Sequence, residues 1–267
     1  MSVAAPSASP VIQVRGLVAG YGSRTILNGV DLEILAGETM VILGGSGSGK
    51  STLLRHIVAL ERPRAGEILI KGVDITRCSR AELNEVRKSM GMSFQGAALF
   101  NSMTVGDNVA LALREHTRLA ESTIKLMTRI KLEQVGLAQC EDYLPSQLSG
   151  GMKKRAAVAR ALAMDPEILL FDEPSAGLDP IIAAGIDALI LELKEAFHMT
   201  IVVVTHELES AFLIADRMAV VDKGRILAVG TVAEIRSSSN PRVRQFLDRV
   251  PDPAMTDQQA FLGRLIE

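Results

Sequence analysis

Hydrophobic positions recur with two different spacings along this chain, and the switches between them mark out its organisation. Over residues 11–34 apolar and polar residues alternate, broken by Gly20, Gly22 and Gly29, which predicts short antiparallel strands. The segment at 67–72 continues that alternation. Residues 39–43 (TMVIL) form a short apolar run fit for a strand buried on both faces. Leu53, Leu54, Ile57 and Val58 then take up helical spacing. Ser79 and Glu82 make a capping-box pattern that predicts a helix to about Lys88, with a strand near 90–94. From Thr104 to Ala163 strand signals nearly vanish and good helix formers dominate, predicting an inserted helical subdomain over about 96–163. Apolar runs at 168–171, 201–204 and 218–221 alternate with helical patterns near 181–196 and 208–215, which argues for a parallel sheet covered on both faces. Asp222, Lys223 and Gly224 predict a hairpin. Beyond Pro241, helical patterns occupy 243–250 and 258–266. The expected layout is a mobile tail over 1–10, one α/β domain over 11–238 and a C-terminal helical extension over 239–267.

Composition narrows the possibilities. The chain has 267 residues, 48% of them hydrophobic, enough for one large domain or a core plus a subdomain. A net charge of −2 and 3% aromatic residues argue against nucleic acid as a partner, since neither a basic surface nor stacking platforms are available. No apolar run approaches the length of a membrane span, so any membrane role passes through a partner. Residues 1–10 lack the basic and apolar regions of a signal peptide. Cys78 and Cys140 have no neighbours at metal-binding spacing and are expected to be free thiols in the cytosol.

The most informative segment is GGSGSGKST at 44–52, a phosphate-binding P-loop between a buried strand and a helix. Its residues Gly44, Gly45, Ser46, Gly47, Ser48 and Gly49 allow backbone N–H groups to turn towards one anion at a helix N-terminus. Lys50 supplies a mobile charge for the β- and γ-phosphates of ATP, Ser51 a ligand for Mg²⁺, and Thr52 a phosphate hydrogen bond. The fold class is therefore a P-loop NTPase (RecA-like) parallel-sheet core with an N-terminal antiparallel β subdomain and the helical insertion. Asp172 and Glu173 end an apolar strand, where ligands bind in parallel sheets. Asp172 is suited to hold Mg²⁺ and Glu173 to polarise a water for attack on the γ-phosphate. LSGGM at 148–152 precedes a strong helix former, with Ser149 as N-cap and Gly150 and Gly151 permitting close approach; taken alone it is equally a second anion site or an ordinary capped helix.

These motifs, with Gln95 after a strand, SAGLD at 175–179 and His206 after the run at 201–205, resemble in kind and order the ATPases of ATP-binding-cassette (ABC) transporters, over roughly 11–238. The resemblance implies a head-to-tail homodimer in which LSGGM of one subunit closes over ATP on the other's P-loop. It implies that Tyr21 stacks on adenine, that Gln95 touches Mg²⁺ and the attacking water, that His206 senses the γ-phosphate, and that Asp179 links the two sites. Read from the residues alone, an N-cap before Pro180 is the alternative for Asp179. Gly45 departs from the proline many members carry. LSGGM followed by KKR, FQGAALF at 94–100, NVALALREHT at 108–117 and PRVRQFLD at 241–248 resemble the branch that serves Mce-type lipid transporters. That branch implies peripheral attachment to the cytoplasmic face of a bacterial inner membrane. Its partners would be an integral-membrane permease, a small STAS-domain protein on the helical subdomain and periplasmic Mce-domain subunits, with phospholipid as cargo. The alternative is an importer of a small soluble solute. The amphipathic piece at 241–248 has an apolar side that could be covered by its own surface, the twin subunit or a regulatory partner, and the resemblance favours the twin subunit.

Overall fold

The computed structural model describes residues 9–251. The helical pattern at 258–266 lies outside them, as does the expected tail apart from Ser9 and Pro10, and Pro10 already opens a strand.

β1 (Pro10–Tyr21) and β2 (Arg24–Leu35) form one long antiparallel hairpin. This corrects the expectation of short strands. Gly20 and Gly29 interrupt the alternation without ending it, because the pairing shifts register beside them, whereas Gly22 lies in the turn between the two strands. β4 (Ala65–Ile70) and β5 (Val73–Asp74) complete a four-stranded sheet in the order β2-β1-β4-β5.

The second sheet contains β3 (Thr39–Leu43), β6 (Met90–Ser93), β7 (Ile168–Asp172), β8 (Thr200–Thr205), β9 (Arg217–Asp222) and β10 (Arg225–Thr231). Its order is β10-β9-β3-β8-β7-β6, parallel except for the hairpin partner β10. Side-chain alternation splits the core across this sheet. Val41, Leu43, Leu169, Phe171, Ile201 and Val203 join one hydrophobic cluster with the helical unit. Met40, Ile42, Ile168, Leu170, Val202 and Val204 join another with the N-terminal sheet and α1 (Lys50–Ile57). Burial on both faces explains why these strands read as unbroken apolar runs.

α2 (Arg80–Lys88) begins at the expected capping box, in which Glu82 donates its N–H to the Ser79 hydroxyl and accepts from the Ser79 N–H. The helical unit comprises α3 (Val105–His116), α4 (Glu121–Gln134) and α5 (Gly150–Ala161). α6 (Pro180–Phe197) and α7 (Leu208–Ile214) alternate with the strands as the pattern requires. Among the described residues, no helix is long and apolar enough to cross a membrane.

α8 (Val232–Arg236) and α9 (Pro241–Leu247) close the described chain. The apolar side of α9 is covered by its own core: Val243 is fully buried, and Phe246 and Leu247 pack against the same cluster. The amphipathic piece therefore does not need a twin subunit to cover it. Val243→Ala is expected to lower the unfolding free energy by about 2 kcal/mol in thermal or urea unfolding of the full chain. The exposed Val250 serves as the control, and its change to alanine should stay within about 0.5 kcal/mol. Equal losses at the two sites would argue against this packing.

Candidate functional site

Strand order decides what meets at the C-terminal edge of the sheet. β3 lies beside β8, and β8 beside β7, so the segments that follow these three strands are neighbours. They carry the P-loop, His206 and Glu173. Two glycines of the loop are forced by space and backbone. A Cβ on Gly44 would stand 2.2 Å from the carbonyl oxygen of Val221, and Gly49 adopts φ 107° as the N-cap of α1. The β9–β10 turn braces the loop from outside, with the Gly224 N–H donating to the Ser48 carbonyl at 2.9 Å.

Lys50, the first residue of α1, curls back over the loop. Its ammonium donates to the carbonyls of Gly44 at 2.8 Å and Gly45 at 3.1 Å, and lies 3.8 Å from Glu173 Oε1. Burial pushes its pKa down, and the nearby Glu173 and Asp172 carboxylates push it back up. The Ser48 hydroxyl is buried with no hydrogen-bond partner among the described residues. Such an orphaned polar atom inside a loop of inward-facing amides fits a phosphate oxygen.

Two carboxylates face this loop with different partners. Ser51 Oγ donates to Asp172 Oδ1 at 2.8 Å, which brings together two of the three groups expected to hold Mg²⁺. A hydroxyl and a carboxylate are hard oxygen donors, the set that ion takes alongside water and phosphate. Glu173 Oε2 lies 2.9 Å from His206 Nδ1. Glu173 and Lys50 are buried, whereas the His206 side chain is 46% exposed and stands at the mouth. A buried carboxylate beside a histidine and a lysine is placed to take a proton from water, provided a phosphate is presented over the loop.

The remaining expected residues surround this cluster without joining it. Gln95 is exposed in the turn after β6, and its backbone carbonyl accepts from Lys154. Tyr21 is 47% exposed, and its hydroxyl donates to Glu61 at 2.8 Å. Ser149 is the N-cap of α5, as its sequence position suggested, with its hydroxyl accepting from the Met152 N–H. Asp179 is the N-cap of α6, accepting from the N–H groups of Ile181 and Ile182. Ser149, Gly150 and Asp179 are exposed, and the side chains of Ser149 and Asp179 bond to the first turns of their own helices. A single chain thus carries one P-loop cluster and, separately, an outward-facing helix N-terminus.

Sequence reasoning missed two contributors. Lys154 is buried and tied to the backbone carbonyls of Gln95 and Glu173, yet in the sequence it is one of three consecutive basic residues. The β9–β10 turn was legible as a hairpin but not as a brace for the loop. Burial within a charged run is a tertiary property and leaves no local signal.

Comparisons with known proteins agree with this geometry. The model of a family described as ABC transporter matches residues 27–176. A relative from Haemophilus influenzae, the intermembrane phospholipid transport system ATP-binding protein MlaF, is 45% identical over 237 residues, covering 89% of this chain and 90% of its own. The probable ribonucleotide transport ATP-binding protein mkl of Mycobacterium leprae is 44% identical over 237 residues, covering 89% of this chain and 68% of its own. Among solved structures, the dimeric ATP-binding cassette MJ0796 in a post-hydrolysis state bound to ADP and Pi superposes with a TM-score of 0.76 at 31% identity. That match covers 83% of this chain and 98% of the other.

Proposed function

This chain belongs to the ABC transporter family as an ATP-hydrolysing cassette, and from that premise we propose that it powers phospholipid transport between the two membranes of a bacterial envelope. The observation that carries the cargo is the 45% identity to an MlaF protein over 89% of the chain. The chemistry rests on the cluster of Lys50, Ser51, Asp172, Glu173 and His206 at the ends of neighbouring strands.

In this reading the loop amides from Gly44 to Gly49, with Lys50 and Thr52, bind the triphosphate, and Tyr21 stacks on adenine. Ser51, Asp172 and Gln95 would hold Mg²⁺, which when bound neutralises charge on the β- and γ-phosphate oxygens. Glu173 accepts the proton of the attacking water, and His206 orients Glu173 and contacts the γ-phosphate. Ser149, Gly150 and Gly151 of a second copy close over the same phosphates, and Asp179 joins the two sites. The outward-facing N-terminus of α5 and the dimeric form of the MJ0796 relative support this pairing. ATP binding closes the pair and drives the permease, and hydrolysis resets it.

The partners follow the same logic. A groove of about 630 Å³ between the parallel sheet and the helical unit is lined by Arg87, Met92, Phe94, Phe100, Glu115 and His116. We assign it to the cytoplasmic side of an integral-membrane permease of MlaE type. Arg114 does not reach it, being paired with Asp107 and Glu121. A STAS-domain protein of MlaB type is assigned to the helical subdomain, where Leu126 and Ile130 stand exposed one turn apart on α4. A periplasmic Mce-domain subunit of MlaD type completes the complex. The chain is then peripheral on the cytoplasmic face of the inner membrane.

The Mycobacterium leprae relative, named for ribonucleotide transport, favours a second reading in which the cargo is a small soluble solute. Purifying a tagged copy from membranes tests both. Phospholipid transport predicts co-purified permease, STAS and Mce-domain proteins, and ATP-dependent lipid transfer by the reconstituted complex. A soluble binding protein among the partners, with ATP-driven uptake of a nucleotide, would overturn it.

A further inference from the structure

α5 carries Ser149, Gly150 and Gly151 at the end assigned to the partner copy's nucleotide. About one turn further along, Lys154 points inward and is 7% exposed. Its ammonium donates to the backbone carbonyls of Gln95 and, at 3.0 Å, Glu173. A buried cation loses its hydration and persists only where fixed oxygens replace it. Here both oxygens belong to the main chain, so the ammonium holds backbone rather than a side chain. Burial lowers its pKa, against the opposing pull of Glu173 and Asp172.

The backbone it holds is strained. Glu173 adopts φ 50°, a region that residues other than glycine rarely occupy. In that conformation its N–H donates to the Val204 carbonyl at 2.8 Å, and its carboxylate meets Lys50 and His206. Its carbonyl accepts from Lys154 and, at 3.3 Å, from the Ala176 N–H. Without the lysine that carbonyl keeps only the longer bond, and the strained backbone at Glu173 loses one of the contacts that fix it.

We propose that Lys154 is a positioning residue for hydrolysis, which locks Glu173 in its left-handed conformation and ties both Glu173 and Gln95 to the signature helix. The proposal rests on the assignment of Glu173 as the group that polarises water. It gives the N-terminal half of α5 two linked duties. The N-terminus serves the nucleotide held by the other subunit, and Lys154 sets the catalytic backbone of its own. Movement of α5 as it engages one nucleotide is thereby transmitted to the carboxylate acting on the other.

The test uses the complete transporter with full-length subunits. Lys154→Met should lower kcat at least about tenfold while KM for ATP stays within about twofold, because geometry is lost and phosphate binding is not. Lys154→Arg, which keeps a cation and several donors, should recover most of the turnover. In a Glu173→Gln background, Lys154→Met should cost less than about a further twofold, since the carboxylate it positions is already gone. Unchanged kcat in Lys154→Met, an effect on KM alone, or equal losses with and without Glu173→Gln would each overturn the proposal. Thermal unfolding reports whether each variant folds, and if the methionine variant does not, Lys154→Gln carries the same comparisons. Failure of the underlying assignment reads differently: Glu173→Gln alone would then keep its turnover.

Discussion

Replacing Glu173 by glutamine in the assembled transporter is expected to cut steady-state ATP turnover by about 10²–10⁴-fold while leaving nucleotide binding intact, as befits removal of a positioned base. The amide matches the carboxylate in shape but cannot take a proton from water. Binding should persist or tighten, because the change removes a negative charge 3.8 Å from Lys50, where the triphosphate must sit. Lys50→Ala should instead weaken nucleotide binding itself, and hydrolysis is lost with it. The loop then loses its cation, and the ammonium bonds to the Gly44 and Gly45 carbonyls disappear with it. Equilibrium titration with a fluorescent ATP analogue, run beside a phosphate-release assay, separates the two variants. Near-normal turnover in Glu173→Gln would mean that the carboxylate is wrongly assigned and that another group activates the water.

Much of this site was legible because its chemistry is local in sequence. The P-loop needs glycines at fixed offsets between a buried strand and a helix, and residues 39–58 display all three parts. Ser149 could be read as an N-cap because capping is a contact between near neighbours, and the structure keeps it there. The β3, β7 and β8 runs were legible because strands covered on both faces are apolar throughout. Bringing Glu173, Lys50 and His206 together required the strand order, which periodicity does not encode.

What the sequence left unread shares one physical cause. Gly22 does mark a strand end, at the turn of the hairpin, but Gly20 and Gly29 looked like ends too, and pairing between β1 and β2 carries the strands past both through shifts of register. The apolar side of α9 was visible in Val243, Phe246 and Leu247, yet a helical pattern does not say which surface covers it. Its own core does so, and Arg242 adds an ion pair to Asp222 at 2.9 Å, beside the turn that braces the P-loop. Lys154 was hidden in a basic run for the same reason. In each case a long-range contact fixed what local pattern left open.

Mixed dimers are expected to show that two chains build each catalytic site. Ser149→Arg places a bulky cation at the exposed N-cap of α5, the end expected to approach the partner's phosphates. It should abolish hydrolysis while nucleotide still binds its own P-loop, because Ser149 makes no bond to the Lys50 cluster among the described residues. Lys50→Ala should abolish hydrolysis from the other half of the site. In a dimer with one subunit of each kind, both lesions fall in the same composite site. The other site then combines an intact P-loop from the Ser149→Arg chain with an intact signature helix from the Lys50→Ala chain. Differentially tagged subunits, purified through both tags with the permease, should therefore regain ATP turnover, up to about half of the normal rate if the sites act independently. Each doubly tagged homodimer should remain inactive. A doubly tagged mixed dimer as inactive as its parents would mean either that one chain supplies both halves of its own site or that hydrolysis requires two intact sites. Nucleotide trapping decides between these. The Glu173→Gln protein should form an ATP-dependent closed dimer if the sites are shared, and an ATP-independent assembly state would overturn the head-to-tail arrangement.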